Sequence, residues 1–350
     1  MSFLKPNIRH PQAPTNSLGL TTRAYEGVIS TLCAGCGHDS ISAAVMQAVW
    51  GLGIAQNRVA KMSGIGCSSK SPNYFLNKAH GFNSVHGRMP SVTTGANVAN
   101  RELLYLGVSG DGDTASIGMG QFAHVIRRNL NMLYLVENNG CYGLTKGQDS
   151  ATADEGSANK KGRVNPYTAI DLVSLALDLG ATFIARSFSG DKEQLVPLMQ
   201  AAMTHKGFAL IDVVSPCVTF NNHAGSTKSY DYAREHIEAA AIVDFVPMAQ
   251  EISLEQLEGT TKSVDLHNGD QIQLSKLAND YDPSNRRAAF NAVQDHKDEG
   301  RLLTGLIYID PEANNFHETL NLPQKPLNAF EQSELCPGSN SLKSINAGLK

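Results

Sequence analysis

Residues 110–148 read GDGDTASIGMGQFAHVIRRNLNMLYLVENNGCYGLTKGQ, and they decide the fold. A short apolar stretch, residues 103–108, precedes this segment, and a second apolar stretch, residues 132–136, lies inside it. Both have the length and the β-forming composition of buried strands. Apolar residues at helical spacing, from Phe122 to Ile126, lie between the two strands. The order strand, loop, helix, strand, loop predicts a parallel α/β unit.

Acidic and amide oxygens follow the two predicted strands. Asp111 comes just after the first strand, and Asn139 comes 28 positions later, just after the second. The carboxyl ends of parallel strands share one edge of the sheet, where open α/β sheets bind ligands. These two oxygens and the carbonyl of Cys141 suit Mg2+. So few protein ligands leave room for the waters and phosphate oxygens that Mg2+ also binds. Each stretch alone reads more simply as an Asp-Gly or Asn-Gly turn, but the two together favour a metal site.

Length, composition and charge exclude several classes of protein. The chain has 350 residues, of which 41% are hydrophobic, so it can bury a large core as one domain or two. Its formal net charge of -4 argues against general nucleic-acid binding. No apolar run approaches about 18 residues, and residues 1–14 lack the apolar core of a secretory signal. We therefore expect a cytoplasmic protein that does not enter a membrane, with an irregular arm over residues 1–22.

Four of the six cysteines lie in loops with a ligand-like setting. Cys33 and Cys36 form a Cys-x-x-Cys pair, which is typical of a redox dithiol, half a zinc site or half an iron–sulfur site. Cys67 lies in a Gly/Ser loop after the predicted strand 58–62, and Cys217 follows the apolar strand 208–214. The loops can converge at one sheet edge, so four thiolate ligands for zinc or a [4Fe–4S] cluster are expected. At the level of the residues these two alternatives stay open.

The rest of the chain continues the α/β alternation and then loses it. Asp39 and Ser40 are expected to cap a helix that follows the Cys-x-x-Cys pair. Further helices and strands are expected up to about residue 237, which predicts a doubly wound, mostly parallel sheet over residues 23–237. Residues 149–163 read as a solvated loop, and residues 274–301 as a charged, mostly helical stretch. We treat residues 238–350 as a C-terminal extension.

Two sets of motifs resemble a known family. The Gly110–Gly112 loop with Asn138-Asn139 resembles the diphosphate-binding motif of thiamine diphosphate enzymes. The full set resembles the β subunit of 2-oxoacid:ferredoxin oxidoreductases, strongly over residues 32–220 and more weakly over residues 302–309 and 335–338. In order, these motifs are CAGCGH (33–38), GIGCSSK (64–70), HGR (86–88), GDGD (110–113), NNGCYGLTKGQ (138–148) and SPC (215–217).

The resemblance implies a role for each matching residue. Mg2+ would be held by Asp111, Asn139 and the backbone carbonyl of Cys141, and a [4Fe–4S] cluster by Cys33, Cys36, Cys67 and Cys217. Thiamine diphosphate would be lined by Ile65, Gly66, Cys67, Ser68, His86, Gly110, Asp111, Gly112, Asp113, Asn139, Cys141, Gly143, Leu144 and Thr145. The residues implied near the reacting carbon, where a substrate carboxylate needs a cation, are Lys70, His86 and Arg88. The Cys141 thiol and Cys336 match no ligand position.

The resemblance also implies an activity and its partners. The chain would be one subunit of an enzyme that decarboxylates a 2-oxoacid, passes electrons through the cluster to ferredoxin and transfers the acyl group to coenzyme A, or runs the reverse reaction. The SPCVTFN form around Cys217 resembles the 2-oxoglutarate enzymes, with pyruvate or a broad 2-oxoacid range as the alternative. A larger α subunit would supply the pyrimidine-binding domain and its activating glutamate in an (αβ)2 assembly. A non-redox thiamine enzyme would leave the cysteines unused, and a zinc-stabilised binding module would leave the GDGD and Asn-Asn motifs unused.

Overall fold

The computed structural model describes residues 12–159, 161–246, 261–265, 271–276, 281–336 and 338–349. The strands are β1 Val59–Ser63, β2 His80–Asn83, β3 Leu104–Gly110, β4 Met132–Asn138, β5 Cys141–Tyr142, β6 Gln148–Asp149, β7 Phe183–Phe188, β8 Phe208–Val214, β9 Ile237–Val246, β10 Thr261–Asp265, β11 Gln271–Lys276 and β12 Leu302–Ile309. The helices are α1 Gly37–Gly51, α2 Met89–Ala99, α3 Met119–Arg127, α4 Leu172–Leu179, α5 Lys192–Thr204, α6 Tyr230–His236, α7 Arg286–Asp298, α8 Phe316–Thr319, α9 Gln332–Leu335 and α10 Gly338–Gly348. Residues 1–11 of the expected arm lie outside the described residues.

Ten strands form one mixed sheet in the order β10-β11-β9-β12-β7-β8-β4-β3-β1-β2. The six strands from β7 to β2 in this order all pair in parallel. Strand β12 runs antiparallel to β7 and parallel to β9, and β11 pairs antiparallel with both β9 and β10. The predicted doubly wound, mostly parallel α/β sheet is confirmed. Strands after residue 237 also join this sheet.

Apolar helix faces cover both sides of the sheet. On one side, α1 and α5 bury residues such as Ile41, Val45 and Leu198 against the strands. On the other side, α3, α4 and α7 bury residues such as Phe122 and Leu172. This two-sided cover explains why the central strands β4, β7 and β8 are buried along their whole length. Among the described residues no helix is long and apolar enough to cross a membrane.

One expectation about local structure was wrong. Helix α1 begins at Gly37 and has Cys36 as its N-cap, so Asp39 lies inside the first turn and does not cap the helix. A Cβ atom at Gly37 would lie 2.5 Å from Ser215 Oγ, so only glycine lets the helix start this close to the loop after β8. The stretch 274–301, which was expected to be mostly helical, contains the end of strand β11 and helix α7, and its residues 277–280 lie outside the described residues.

The parallel strands carry their carboxyl ends to one edge of the sheet. Gly110 at the end of β3 pairs with Glu137 of β4, and Asn138 at the end of β4 pairs with Val214 of β8. The loops that follow β1, β3, β4 and β8 therefore start side by side. These loops contain most of the residues that the sequence motifs single out.

Buried Lys61 fastens the loop that follows β1. Its Nζ atom donates hydrogen bonds to the carbonyl oxygens of Pro72 at 2.6 Å, Phe75 at 2.8 Å and Leu76 at 2.9 Å. Burial lowers the pKa of Lys61 to about 8. The lysine thus holds the carbonyl groups that end the turn after Cys67.

We expect Lys61→Met to lower the free energy of unfolding by about 1–3 kcal/mol, because it leaves buried carbonyl groups without their donor. Denaturant unfolding of the purified protein measures this change. Lys78→Met, at an exposed position two residues after Leu76, is the matched control and should unfold like the wild type. Equal midpoints for both variants would contradict this role of Lys61.

Candidate active site

The loops at the carboxyl edge enclose a cavity. It is lined by His38, Ile65, Gly66, Cys67, Ser68, His86, Gly110, Asp111, Gly112, Asp113, Glu137, Asn139, Cys141, Tyr142, Gly143, Leu144 and Thr145. All fourteen residues that the resemblance placed around the cofactor are in this set. The other three, His38, Glu137 and Tyr142, were not predicted from the sequence to line it. Their positions in a motif or a strand end carried no sign that they face a cavity.

Asp111 lies at the bottom of the cavity, almost fully buried. Its Oδ1 accepts a hydrogen bond from the backbone N–H of Asn139 at 3.3 Å. Its Oδ2 accepts from the hydroxyl groups of Ser150 and Thr152, the latter at 2.7 Å. Burial raises the pKa of Asp111, and these hydrogen bonds oppose the shift. A bound cation would favour the ionised carboxylate in this setting.

Asn139 lies beside Asp111, as the sequence predicted. Its Oδ1 accepts from the backbone N–H of Cys141 at 3.1 Å, and its own carbonyl oxygen accepts from Asn221 Nδ2 at 2.8 Å. Oδ1 keeps a second lone pair for a cation. Among the described residues no group of three or more His, Cys, Asp or Glu side chains is arranged to hold a metal ion. A cation here would take its remaining ligands from backbone, water and diphosphate oxygens, which fits Mg2+.

Two glycines let the backbone pack closely against side chains that line the cavity. A Cβ atom at Gly112 would lie 2.5 Å from the Tyr142 ring, and a Cβ atom at Gly110 would lie 2.9 Å from Ser68 Oγ. Tyr142 also donates a hydrogen bond from its hydroxyl to the carbonyl of Gly112 at 3.0 Å. The aromatic ring and the loop after β3 therefore support one another. The residues present fit a diphosphate held against backbone with a cation beside it.

Asp113 lines the cavity, and its carboxylate bonds to neighbouring protein groups. Its carboxylate accepts hydrogen bonds from the Gly87 N–H and from Ser109 Oγ, both at 2.8 Å, and forms an ion pair with His86 Nδ1. The side chain is buried, and Gly64 packs so closely against it that a Cβ atom there would overlap its oxygen. Asp113 thus holds the loop that presents His86, which is one-third exposed at the cavity.

The loops that carry the four predicted cluster ligands adjoin one another. A Cβ atom built at Gly143 would lie 3.5 Å from Cys67 Sγ and 3.7 Å from Cys217 Sγ, so both sulfurs face the wall of the cavity. Cys33 and Cys36 form a turn in which the Cys36 N–H donates to the Cys33 carbonyl at 3.0 Å. The Gly37 N–H then donates to the carbonyl of Pro216, beside Cys217, which joins the two loops.

The thiol groups respond to one another and to burial. Burial raises the pKa of Cys36 to about 12 and also raises the pKa of Cys67. A hydrogen bond with Cys141 lowers the pKa of Cys217 to about 6 and raises that of Cys141. Several desolvated sulfurs at one place disfavour ionisation unless a positive group binds them. This donor set therefore fits a metal or an iron–sulfur cluster, which binds thiolates.

The two predicted cations lie outside the cavity lining. Lys70 is exposed, close enough to Cys67 for its charge to stabilise the thiolate and lower the pKa of that sulfur, against the stronger effect of burial. Arg88 is exposed at the start of α2. Both side chains are therefore accessible to solvent.

A second cavity, more polar, opens on the other side of Asn138 and Thr152. Its buried charges are paired. Arg186 contacts Asp171 at 2.7 Å and Asp212 at 3.3 Å, and Lys228 contacts Asp154 at 3.0 Å. These ion pairs account for the charges without a ligand, so this cavity gives less support for chemistry than the first.

Comparison with known proteins agrees with this geometry. The family model described as "Thiamine pyrophosphate enzyme, C-terminal TPP binding domain" matches residues 60–213, and the model for the C-terminal part of the pyruvate ferredoxin oxidoreductase beta subunit matches residues 271–324. The chain is 41% identical over 191 residues to a 2-oxoacid:ferredoxin oxidoreductase subunit beta of Sulfolobus sp, covering 54% of this chain and 63% of the relative. It is 36% identical over 192 residues to the 2-oxoglutarate synthase subunit KorB of Methanocaldococcus jannaschii, covering 54% of this chain and 69% of the relative.

A solved structure extends the similarity over nearly the whole chain. It is a 2-oxoglutarate:ferredoxin oxidoreductase from Magnetococcus marinus with 2-oxoglutarate, coenzyme A and succinyl-CoA bound. The TM-score is 0.71 at 28% identity, with 93% of this chain and 96% of the other chain covered. By contrast, the sequence match spans under two-thirds of the length of the first curated relatives.

Proposed function

The chain belongs to the family of 2-oxoacid:ferredoxin oxidoreductase beta subunits, and from this we propose that it is the subunit that binds thiamine diphosphate, Mg2+ and a [4Fe–4S] cluster. The reaction is the coenzyme A-dependent oxidation of 2-oxoglutarate to succinyl-CoA and CO2, with electrons passed to ferredoxin, or its reverse. The main support is the position of Gly143, which lines the Asp111 cavity and at the same time packs against the sulfurs of Cys67 and Cys217.

Each group at the site has a physical task in this proposal. Asp111, the Asn139 side chain and the Cys141 carbonyl would hold Mg2+. Thiamine diphosphate supplies the electron sink for loss of CO2 from a 2-oxoacid. Ile65 and Leu144 cover the cavity with apolar surface and limit the access of water. The four cysteines hold a cluster that accepts single electrons beside the cavity.

The outer side of the site suits a negatively charged substrate. His86 is held by Asp113 at the cavity. Lys70, three residues after Cys67, and Arg88, two residues after His86, are both exposed. We propose that these three side chains bind and orient the carboxylate groups of the substrate. A dicarboxylate such as 2-oxoglutarate would use more of this positive charge than pyruvate does. Pyruvate or a broad 2-oxoacid range is the alternative.

Two proposals from other classes explain less of the structure. A non-redox thiamine enzyme would need the Asp111 cavity but would leave four converging thiols without a task. A zinc-stabilised binding module would use the thiols but would leave the buried Asp111–Asn139 pair and its glycine cradle without one. Iron and sulfide analysis after anaerobic purification separates the first proposal from both.

Apolar side chains around the cavity mouth support the need for a partner. Exposed large residues there and in the adjoining loops are Ile65, Phe82, Val85, Ile117 and Leu144. Exposed apolar patches of this kind mark protein interfaces. We propose that this face is covered by a larger α subunit, which holds the pyrimidine end of the cofactor and supplies the activating glutamate, in a cytoplasmic (αβ)2 assembly. Ferredoxin would dock near the cluster, guided by Lys160 and Lys161. Lys160 lies outside the described residues, and Lys161 is exposed.

We expect the chain alone, reconstituted with iron, sulfide, Mg2+ and thiamine diphosphate, to show no 2-oxoacid-dependent dye reduction. Coexpression with its α subunit should restore coenzyme A-dependent turnover, because the pyrimidine end of the cofactor is then held. The measurement is anaerobic dye reduction with 2-oxoglutarate and with pyruvate at matched concentrations, and kcat/KM should be higher for 2-oxoglutarate.

Two outcomes would contradict the proposal. Full turnover by the isolated chain would remove the need for the partner. A higher kcat/KM for pyruvate would replace 2-oxoglutarate by the alternative substrate and leave the family reaction intact.

A further inference from the structure

Buried His38 lies between the cysteine loops and the proposed metal ligands. The side chain is 1% exposed and lines the cavity, two residues after Cys36 in the first turn of α1. Its Nδ1 lies 2.6 Å from Ser215 Oγ and 3.4 Å from Glu137 Oε2. Its Nε2 lies 3.4 Å from Asn139 Nδ2. One imidazole ring therefore contacts the ends of both β4 and β8.

The hydrogen-bond partners assign the direction of each bond. Asn139 Oδ1 accepts from the Cys141 N–H, which places the Nδ2 group of this amide towards the ring. An amide NH2 can only donate, so His38 Nε2 must accept, and the proton of the neutral ring lies on Nδ1. Nδ1 then donates to Ser215 Oγ. If the Asn139 amide were turned over, its NH2 group would face the Cys141 N–H, so two donors would meet. Its oxygen would then face the Nε2 lone pair of His38, so two acceptors would meet.

From this arrangement we infer that His38 is a positioning residue that holds the Asn139 amide with its NH2 group towards the ring, which leaves Oδ1 for the proposed cation. The inference rests on the proposed function, because it assigns Asn139 as a ligand of Mg2+. Residues behind a metal ligand orient it, and their loss commonly weakens metal binding by about 10–100-fold. His38 would act on the cation through Asn139 without touching it.

Glu137 and Ser71 extend the support of the ring. Ser71 Oγ donates to Glu137 Oε2 at 2.9 Å, and Ser71 lies four residues after Cys67. Oε1 of Glu137 is buried and has no hydrogen-bond partner among the described residues. The ring thus contacts Glu137 of β4 and Ser215 of the loop after β8, and Ser71 of the loop after β1 holds Glu137 in place. Such packing allows His38 one orientation, which a positioning residue requires.

The test measures Mg2+-dependent binding of thiamine diphosphate to the reconstituted complex by calorimetry, together with iron content. His38→Leu removes the acceptor, and we expect cofactor affinity to fall about 10-fold or more while iron stays near the wild-type amount. His38→Gln can offer an amide oxygen to Asn139 Nδ2 and should recover most of the affinity. His205→Leu replaces another buried histidine, which contacts Thr182 at the amino edge of the sheet, and should bind cofactor normally.

A double substitution tests whether His38 acts through Asn139. If it does, adding His38→Leu to Asn139→Ala will weaken binding little beyond the single Asn139→Ala change. Additive losses would overturn the inference, as would normal binding by His38→Leu, equal loss of iron and cofactor, or no recovery with glutamine. Asp111→Ala in the same assay separates failure of the proposed function from failure of the positioning role of His38. If Asp111→Ala binds normally the proposed function fails, whereas if only His38→Leu binds normally the positioning role alone fails.

Discussion

Cys217→Ala is expected to remove the iron–sulfur cluster. The wild-type chain should contain about four iron and four sulfide per chain after anaerobic purification, and the variant should contain close to none. The reason is geometric, since Cys67 and Cys217 face the same point beside Gly143 and Cys36 is joined to the Cys217 loop through Gly37. A cluster held by three of its four thiolates should not persist through purification, although the Cys141 thiol lies next to Cys217.

Two cysteine controls accompany this experiment. The controls are Cys141→Ser, which keeps the backbone carbonyl proposed for Mg2+, and Cys336→Ser, at an exposed position near α9. Both variants should retain iron and sulfide. Chemical iron and sulfide analysis with electron paramagnetic resonance of the reduced protein gives the readout. Stoichiometric zinc without iron in the wild type would contradict the cluster and favour the zinc alternative. Loss of iron in Cys141→Ser would make its thiol part of the site.

The second large effect is expected at Asp111. Asp111→Ala deletes the one carboxylate proposed to bind Mg2+, so affinity for thiamine diphosphate should fall by more than the roughly 10–100-fold that outer residues cost. Copurified cofactor and calorimetric titration with Mg2+ measure the loss. Asp111→Asn keeps a group that can bond to Ser150 and Thr152 while removing the charge, so it should fold normally and still bind weakly.

The matched control for Asp111 is Asp178→Ala. Asp178 is exposed on α4, away from the cavity lining, and its loss should leave cofactor affinity unchanged. Should Asp111→Asn retain full cofactor affinity, the cation would not depend on this carboxylate. The diphosphate site would then have to be assigned to other groups.

Local pattern was enough to predict much of the scaffold. Strand β8 begins and ends where its apolar run, residues 208–214, does, and Asp191 caps α5 through a bond to Gln194 N–H. These features depend on neighbours within a few residues, so period and composition reveal them. The start of α1 was misplaced because it depends on Gly37 packing against Ser215, a contact across 178 positions that no local signal reports.

The candidate site divides in the same way. The sequence by itself determined the chemical groups available, namely Asp111, Asn139, the glycine loops and four cysteines, since these types and their order reflect ligand preference. The tertiary structure was needed to show that Asp113 contacts His86 at the cavity, and that His38 contacts an amide 101 positions away. Strand order brings such residues together, and hydrogen-bond direction then decides what each one does, because a buried polar group must find its partner in three dimensions.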